Sequence, residues 1–331
     1  MSKKVRQVAT NVLMDLVEAR RADIEAGKEV LPWQRGWTGG PQWAPQNLVS
    51  GKRYRGCNVF LTSFAPYDSP FWVTKKQIAD LGGKLKTTKR IRLYGAFLPL
   101  AGVDVEVPAK QFYMPIFFWK FPTAEEKAEG RNYVIQRFSQ AWNIEQTEGI
   151  THKRITEWEK RGFGEHDHDP VAAAEAIIAN MPLRPVISFG HGEAKYRPST
   201  DEVCMPDKSA FPRIEVFYST EFHELGHATG HRTRLNRDGV TNHAAFGDHK
   251  YSFEELVAEM TAAMLTSEAG IECSDTLERS AAYLDNWLRK LRTNPDWLLQ
   301  AGAKAQKAAD FVMNRKYGQY AAEALDERVA A

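Results

Sequence analysis

The stretch from Tyr218 to Arg237, YSTEFHELGHATGHRTRLNR, has the residue types and spacing of a metal centre. On a helix, residues four apart share a face, so His223 and His227 would offer two imidazole nitrogens to one divalent ion. Glu224 lies beside them, where it could take a proton from water held at that ion. A zinc ion held this way wants a third protein ligand. The chain offers two sources: His231, just after Gly230, or a glutamate of the later stretch SFEELVAEMTAAML. Gly230 sits where the pattern HExxHxxGxxH has its glycine, but the last position of that pattern is Thr233, so His231 reads as a polar neighbour of the site.

The later stretch sorts its glutamates by helical geometry. Phe253, Leu256, Val257, Met260 and Met264 form one apolar stripe. Glu254, Thr261 and Glu268 fall at heptad spacing on a side expected to face water. Glu255 and Glu259 share a third side with Ala258 and Ala262, where small side chains let another helix approach and carboxylates need a compensating partner. Glu255-x-x-Ala258-Glu259 also resembles the ExxAD element of gluzincin metallopeptidases. That resemblance implies Glu255 as third ligand and Glu259 as acceptor of a hydrogen bond from a ligand histidine's other nitrogen. The ion expected is Zn2+, with another divalent metal such as Mn2+ as the alternative. Tyr196, Tyr218 and His231 are candidates to stabilise a developing oxyanion.

The N-terminal half has a different chemistry. Trp33, Trp37, Trp43 and Trp72 are interleaved with Arg35, Lys52, Arg53, Arg55, Lys75 and Lys76, while Lys84, Lys86, Lys89 and Arg90 cluster at an expected turn. Cationic grooves with aromatic platforms hold single strands without reading sequence, because every base has a π-face. Asn47, Tyr54, Arg55 and Asn58 lie in a polar, turn-like stretch suited to phosphate or base contacts. The charge balance agrees. Residues 1–120 hold 19 Lys+Arg against 9 Asp+Glu, and the remainder 25 against 33, so a basic half is joined to an acidic one.

The elements that must position these groups divide the chain into a domain over 1–150, a linker over 151–169 and a second domain over 170–331. In the first, a helix is expected within residues 5–29, a strand and helix in SPFWVTKKQIADLGGKL, and strands over 90–119 and in RNYVIQRFSQAWNIEQTEG. The linker, THKRITEWEKRGFGEHDHDP, is charged and contains Gly and Pro; its EHDHD run reads as a solvated loop. In the second, VAAAEAIIANMP is a helix, and PVISFG, AKYRPST, EVCMP and RIEVFY are strand-like. Helices follow over Ser219 to about His231, Phe253–Ala269 and Leu277–Leu291. The class expected is α+β. Three scattered cysteines, the lack of a secretory leader and of any long apolar run predict a cytoplasmic protein with no membrane partner.

These segments also resemble one family. AKYRPSTDEVCMP, FHELGHATGHRTRLNR and FGDHKYSFEELVAEMTAAML are similar to the C-terminal domain of ArdC-type antirestriction proteins of conjugative plasmids. LPWQRGW, PQNLVSGKRYRGCNVFLTS, FWVTKKQIADLGGKLK and AWNIEQTEG are similar to the family's N-terminal domain. The resemblance implies a small, basic, mixed α/β domain that binds single-stranded DNA. It also implies a gluzincin-like HExxH metallopeptidase domain similar to the Spartan/SprT proteases. Its expected role is protection of incoming plasmid DNA from host restriction, with a DNA-bound protein or a restriction enzyme as target. A DNA-binding shield whose metal site is only structural is the competing expectation.

Overall fold

The structure, a computed structural model, describes residues 8, 10–14, 17, 43–63, 65, 67–86, 89–93, 103–107, 113–120, 122–131, 135–160, 170–241, 249–271 and 281–315. In the N-terminal half, β1 (Gln46–Asn47) leads through helix α1 (Cys57–Ser63) to β2 (Phe71–Thr74), α2 (Lys75–Asp80) and β3 (Lys84–Leu85). A hairpin pair, β4 (Lys89–Leu93) and β5 (Val103–Val107), precedes β6 (Met114–Lys120), α3 (Ala124–Ala128), β7 (Ile135–Asn143), β8 (Thr147–Glu148) and α4 (Lys153–Glu159). Four of these strands make a sheet in the order β1-β2-β7-β6, parallel between β1 and β2 and antiparallel elsewhere.

Strand β2, Phe-Trp-Val-Thr, consists of β-formers and is buried on both faces. Phe71 and Val73 point into a small core with Leu48, Ile78 and Trp142, while Trp72 points the other way into the main core. Thr74 then caps α2 reciprocally with Gln77, which ends the strand and starts the helix at one residue.

Part of the expected linker is structure. Residues 153–159 form α4, whose Ile155 and Trp158 pack on the small core and whose Arg154 donates to the carbonyls of Leu48 (2.7 Å) and Val49 (3.0 Å). The charged residues there are the outer face of an amphipathic turn, which composition cannot tell from a linker. Residues 161–169, with the EHDHD run, lie outside the described residues.

The C-terminal half runs α5 (Pro170–Asn180), β9 (Val186–Ser188), β10 (Lys195–Arg197), β11 (Glu202–Cys204), α6 (Ile214–Ala228), α7 (Asp238–Thr241), α8 (His249–Ala269), α9 (Ala281–Thr293) and α10 (Trp297–Val312). Its three strands form a sheet in the order β10-β11-β9. RIEVFY, expected as a strand, forms the start of α6 instead. Phe217, Phe222 and Leu225 complete a buried helical face that a short apolar run does not reveal. Helix α10 has Leu298, Ala301, Ala305, Ala309 and Val312 at helical spacing along its buried side.

One core joins the halves. Phe60, Leu61, Trp72 and Phe117 belong to the same buried cluster as Leu225, Leu256, Met260, Leu265 and Leu298. At the junction a Cβ on Gly302 of α10 would stand 2.6 Å from the backbone nitrogen of Cys57, so only glycine permits this approach to α1. The combination of helices and mixed sheets is the α+β class.

Candidate metal centre

Helix α6 carries His223, Glu224 and His227, and helix α8 lies across it. The crossing is close because Gly226 faces Ala258: a Cβ on Gly226 would meet the Ala258 Cα at 3.2 Å and its carbonyl oxygen at 3.3 Å. That approach brings Glu255 to the histidines. His223 Nε2 and His227 Nε2 are 3.1 Å apart, and the Glu255 oxygens lie 3.5 Å from the first and 3.4 Å from the second. Donors about 2 Å from one tetrahedral ion stand roughly 3.3 Å from each other. Two imidazoles and a carboxylate at this spacing therefore fit a divalent cation. Among the described residues the donor group comprises His223, His227 and Glu255, without His231.

The surroundings hold this group in place. Two arginines from the loop after α6 cap its C-terminus: Arg234 Nε donates to the Ala228 carbonyl at 2.7 Å, and Arg237 donates to the Gly226 carbonyl at 2.8 Å. Arg237 Nε lies 3.0 Å from both oxygens of Glu254, and a further guanidinium nitrogen bonds the same carboxylate. Glu254 in turn lies 3.9 Å from His227 Nδ1.

Glu254, expected to face water, is therefore buried, because Arg237 comes in from a loop to neutralise the carboxylate, and Thr261, two turns further along the helix, is buried against Gly226 of α6. The carboxylate beside the other nitrogen of His227 is Glu254; Glu259, expected in that role, is buried on the same helix.

Electrostatics follow this arrangement. Burial pushes the Glu255 carboxyl up, but the two histidines hold it far below the usual carboxylate range. Burial pushes the His227 imidazole down, yet Glu254 and Glu255 bring it up to about 10. The carboxylates that favour a proton on His227 would equally favour a cation there, so metal binding competes with protonation at this ring.

Glu224 is buried, and its Oε2 accepts a hydrogen bond of 2.7 Å from the Tyr196 N–H of β10. Among the oxyanion candidates, Tyr218 is engaged elsewhere: its hydroxyl donates to Glu175 at 2.6 Å and meets Lys208 Nζ at 3.0 Å. The Tyr196 hydroxyl donates to Asp201 at 2.8 Å, and His231 Nδ1 lies 2.8 Å from Thr233 Oγ1. No spacing pattern links Arg237 and Glu254 as a pair. Their one trace in the sequence is the basic run directly after the helix.

Among the described residues, those expected to touch DNA divide between the interior and the surface. Trp72 is 1% exposed and is a core residue. Asn58 is also buried: it donates to the Phe117 carbonyl at 2.7 Å and accepts from the Phe117 N–H at 2.8 Å, which ties α1 to β6. Both are corrections, for an aromatic or an amide in a basic stretch can serve the interior equally well. Trp43 packs edge-on against Phe71, and Tyr54 packs against the main core. Asn47 exchanges hydrogen bonds with Gln77.

The cations divide between the acidic half and the surface. Arg53 pairs with Glu268 at 3.4 Å and Arg55 pairs with Asp310, so both reach the acidic half. Lys86 Nζ donates to the Glu145 carbonyl, and Lys84 pairs with Glu148 at 3.1 Å. Lys75 is exposed and Lys52 half-buried. Lys75 and Lys76 border an open cleft of about 260 Å³ with Thr74, Ser139, Gln140 and Trp142. Lys89 and Arg90 lie on β4, while Trp33, Arg35 and Trp37 lie outside the described residues.

Residues 12–157 match the family described as the N-terminal domain of anti-restriction factor ArdC. Residues 172–304 match the family described as zincin-like metallopeptidase. The chain is similar to the antirestriction ArdC protein from plasmid R388, solved in metal-free and Mn(II)-bound forms. The TM-score is 0.62 and the identity 26%, with 94% of this chain and 97% of that one covered. It is 30% identical over 313 residues to a DNA primase TraC of Escherichia coli, covering 88% of this chain but only 26% of that relative. Protein y4eC of Sinorhizobium fredii (strain NBRC 101917 / NGR234) is 26% identical over 321 residues, with 92% of each covered.

Proposed function

We propose, from the premise that this chain belongs to the ArdC antirestriction family, that it is a DNA-directed zinc metallopeptidase protecting incoming plasmid DNA. The observation that carries the reading is the convergence of His223, His227 and Glu255 at ligand spacing, with an intact Glu224 beside them. His223, His227 and Glu255 would hold the ion. When bound, a divalent ion of this kind supplies a Lewis acid that polarises a carbonyl and acidifies water. Glu224 takes the proton of the attacking water. The Tyr196 N–H fixes one oxygen of its carboxylate and leaves the other to act as base. A merely structural ion would have no need of that carboxylate.

The basic N-terminal half holds single-stranded DNA and so selects protein bound on or near it. Its support is the charge excess of residues 1–120 and the exposed Lys75 and Lys76 beside an open cleft. Binding through phosphates should weaken steeply with salt.

The test pairs wild type with Glu224→Ala in cleavage of protein bound to single-stranded DNA and in protection of plasmid DNA entering a restricting host. The variant should keep its metal and DNA affinity while losing both activities; chelation of wild type should abolish cleavage likewise. Protection that survives Glu224→Ala would instead assign the antirestriction effect to DNA binding alone.

A further inference from the structure

A second group of donors lies on the sheet β9–β11, apart from the centre on α6 and α8. Glu202 and Cys204 sit two residues apart on β11, and their register partners on β9 are Val186 and Ser188. These side chains therefore share one face of the sheet. His191 joins them from the loop after β9, which is pinned there by two backbone bonds: Met205 N–H to the Ser188 carbonyl (2.8 Å) and His191 N–H to the Met205 carbonyl (3.1 Å). A ring nitrogen of His191, a carboxylate oxygen of Glu202 and the Cys204 sulfur all lie within 4.8 Å of one another.

The Ser188 hydroxyl organises the group. It donates to Glu202 at 2.7 Å and lies 2.7 Å from His191 Nε2. Its single proton goes to the carboxylate, so its oxygen accepts the Nε2–H of His191, and the ring's lone pair falls on Nδ1. This is not the arrangement of a serine nucleophile. In such a triad the carboxylate holds the far nitrogen of the histidine, whereas here it holds the serine itself. A histidine whose Nε2–H is held by a hydroxyl keeps the lone pair of its other nitrogen for an ion.

We infer that His191, Glu202 and Cys204 form a second divalent-metal site, of the zinc-selecting kind. Thiolate, imidazole and carboxylate together are a donor set that zinc takes and that magnesium and calcium do not. Cys204 is fully buried and unbridged, while His191 and Glu202 are half-buried, so an ion can enter from their side. Closing on an ion draws the donors together by roughly 1 Å, which the loop of His191 can supply. Arg197, 3.4 Å from Glu202, balances its carboxylate before the ion binds. Once bound, the ion clamps the loop to β11. The adjacent strand β10 presents the Tyr196 N–H to Glu224, so the clamp steadies the sheet that flanks the first centre.

The full chain, stripped of metal and titrated with Co2+, tests this. Wild type should take up two equivalents and develop a thiolate-to-cobalt charge-transfer band in the near ultraviolet. His223→Ala should lose one equivalent and keep the band. Cys204→Ser should lose one equivalent and the band. Because Cys204 is buried, His191→Ala provides the second variant; with helical content and thermal unfolding preserved, it too should bind one equivalent. A band that survives Cys204→Ser, or an unchanged stoichiometry in His191→Ala, overturns the site. An unchanged stoichiometry in His223→Ala would count against the first centre alone.

Discussion

Two buried carboxylates, each facing an arginine, behave oppositely. At the metal centre, Glu254 and Arg237 are both 5% exposed, yet the Glu254 carboxyl is held below its ordinary value. Burial raises it, but His227 and the fork of Arg237 outweigh that. Where the two halves meet, Asp310 is 2% exposed and its carboxyl is raised, because burial outweighs Arg55, whose side chain is 33% exposed. Taking a charge out of water is repaid only when geometry is good and the remaining lone pairs are satisfied. Arg237 meets both oxygens of Glu254 and also bonds Thr229 and the end of α6, so its guanidinium is fixed from several sides. The centre is thus an interior designed to hold charge, and the junction one that merely tolerates it.

The sharpest way to break this contrast is Arg237→Met. It strands Glu254 without its fork and should cost about 3–5 kcal/mol at neutral pH in urea unfolding. Because the folded Glu254 carboxyl lies below its ordinary 4.5, its contribution is present above that value and lost as pH falls through the folded pKa. The deficit of Arg237→Met should therefore shrink in acid; a deficit that does not change with pH would deny the charge any role. Next in size is Gly226→Ala. The added methyl meets the backbone of Ala258, so the helices must part at a cost of about 1–3 kcal/mol. Glu255 moves away with α8, and divalent-metal affinity measured by calorimetry should fall as well.

At the junction the sign reverses. The Asp310 carboxyl is raised above its ordinary 3.8, so folding gains proton affinity, and stability falls as pH rises from 3.8 through the folded pKa. Asp310→Asn removes that slope. Its stability at pH 7 should stay within about 1 kcal/mol of wild type, since the Arg55 left behind is one-third exposed and can turn its charge to water. Unfolding followed from pH 3 to pH 7 reads both effects, and a large loss at neutral pH would show that the junction pair is as well compensated as the centre.

The contrast also explains what could be read from sequence. His223, Glu224 and His227 were legible because helical spacing fixes their directions before any tertiary contact forms, and Ala258 marked the face where a second helix closes. Glu254 was misplaced because its partner Arg237 comes from a loop whose path no period encodes. In the basic half nothing played the part of that spacing. Composition singled out Trp72 and Asn58 together with Lys75, but burial separates them: the first two fill and tie the interior, and the lysine faces water. The helical start of α6 at Ile214 was hidden for a related reason, since six residues fit a strand as well as a helix.

Arg53 supplies the smallest effect and the one that separates the roles of this basic stretch. Its side chain is 41% exposed, and its partner Glu268 is also bound by Arg315 at 2.6 Å. Loss of Arg53 leaves Glu268 paired, so Arg53→Ala should change stability by less than about 0.5 kcal/mol. Affinity for single-stranded DNA is the informative readout. If Arg53 leaves Glu268 for a phosphate, the variant should bind more weakly and its log–log salt slope should fall by about 0.7, the share of one phosphate contact on a single strand. If it stays with Glu268, neither quantity moves, and the contacts to DNA belong to exposed cations such as Lys75. An arginine exchanging between Glu268 and DNA would reach the far end of the helix that carries Glu255, which makes the slope a measure of how closely the two halves are coupled.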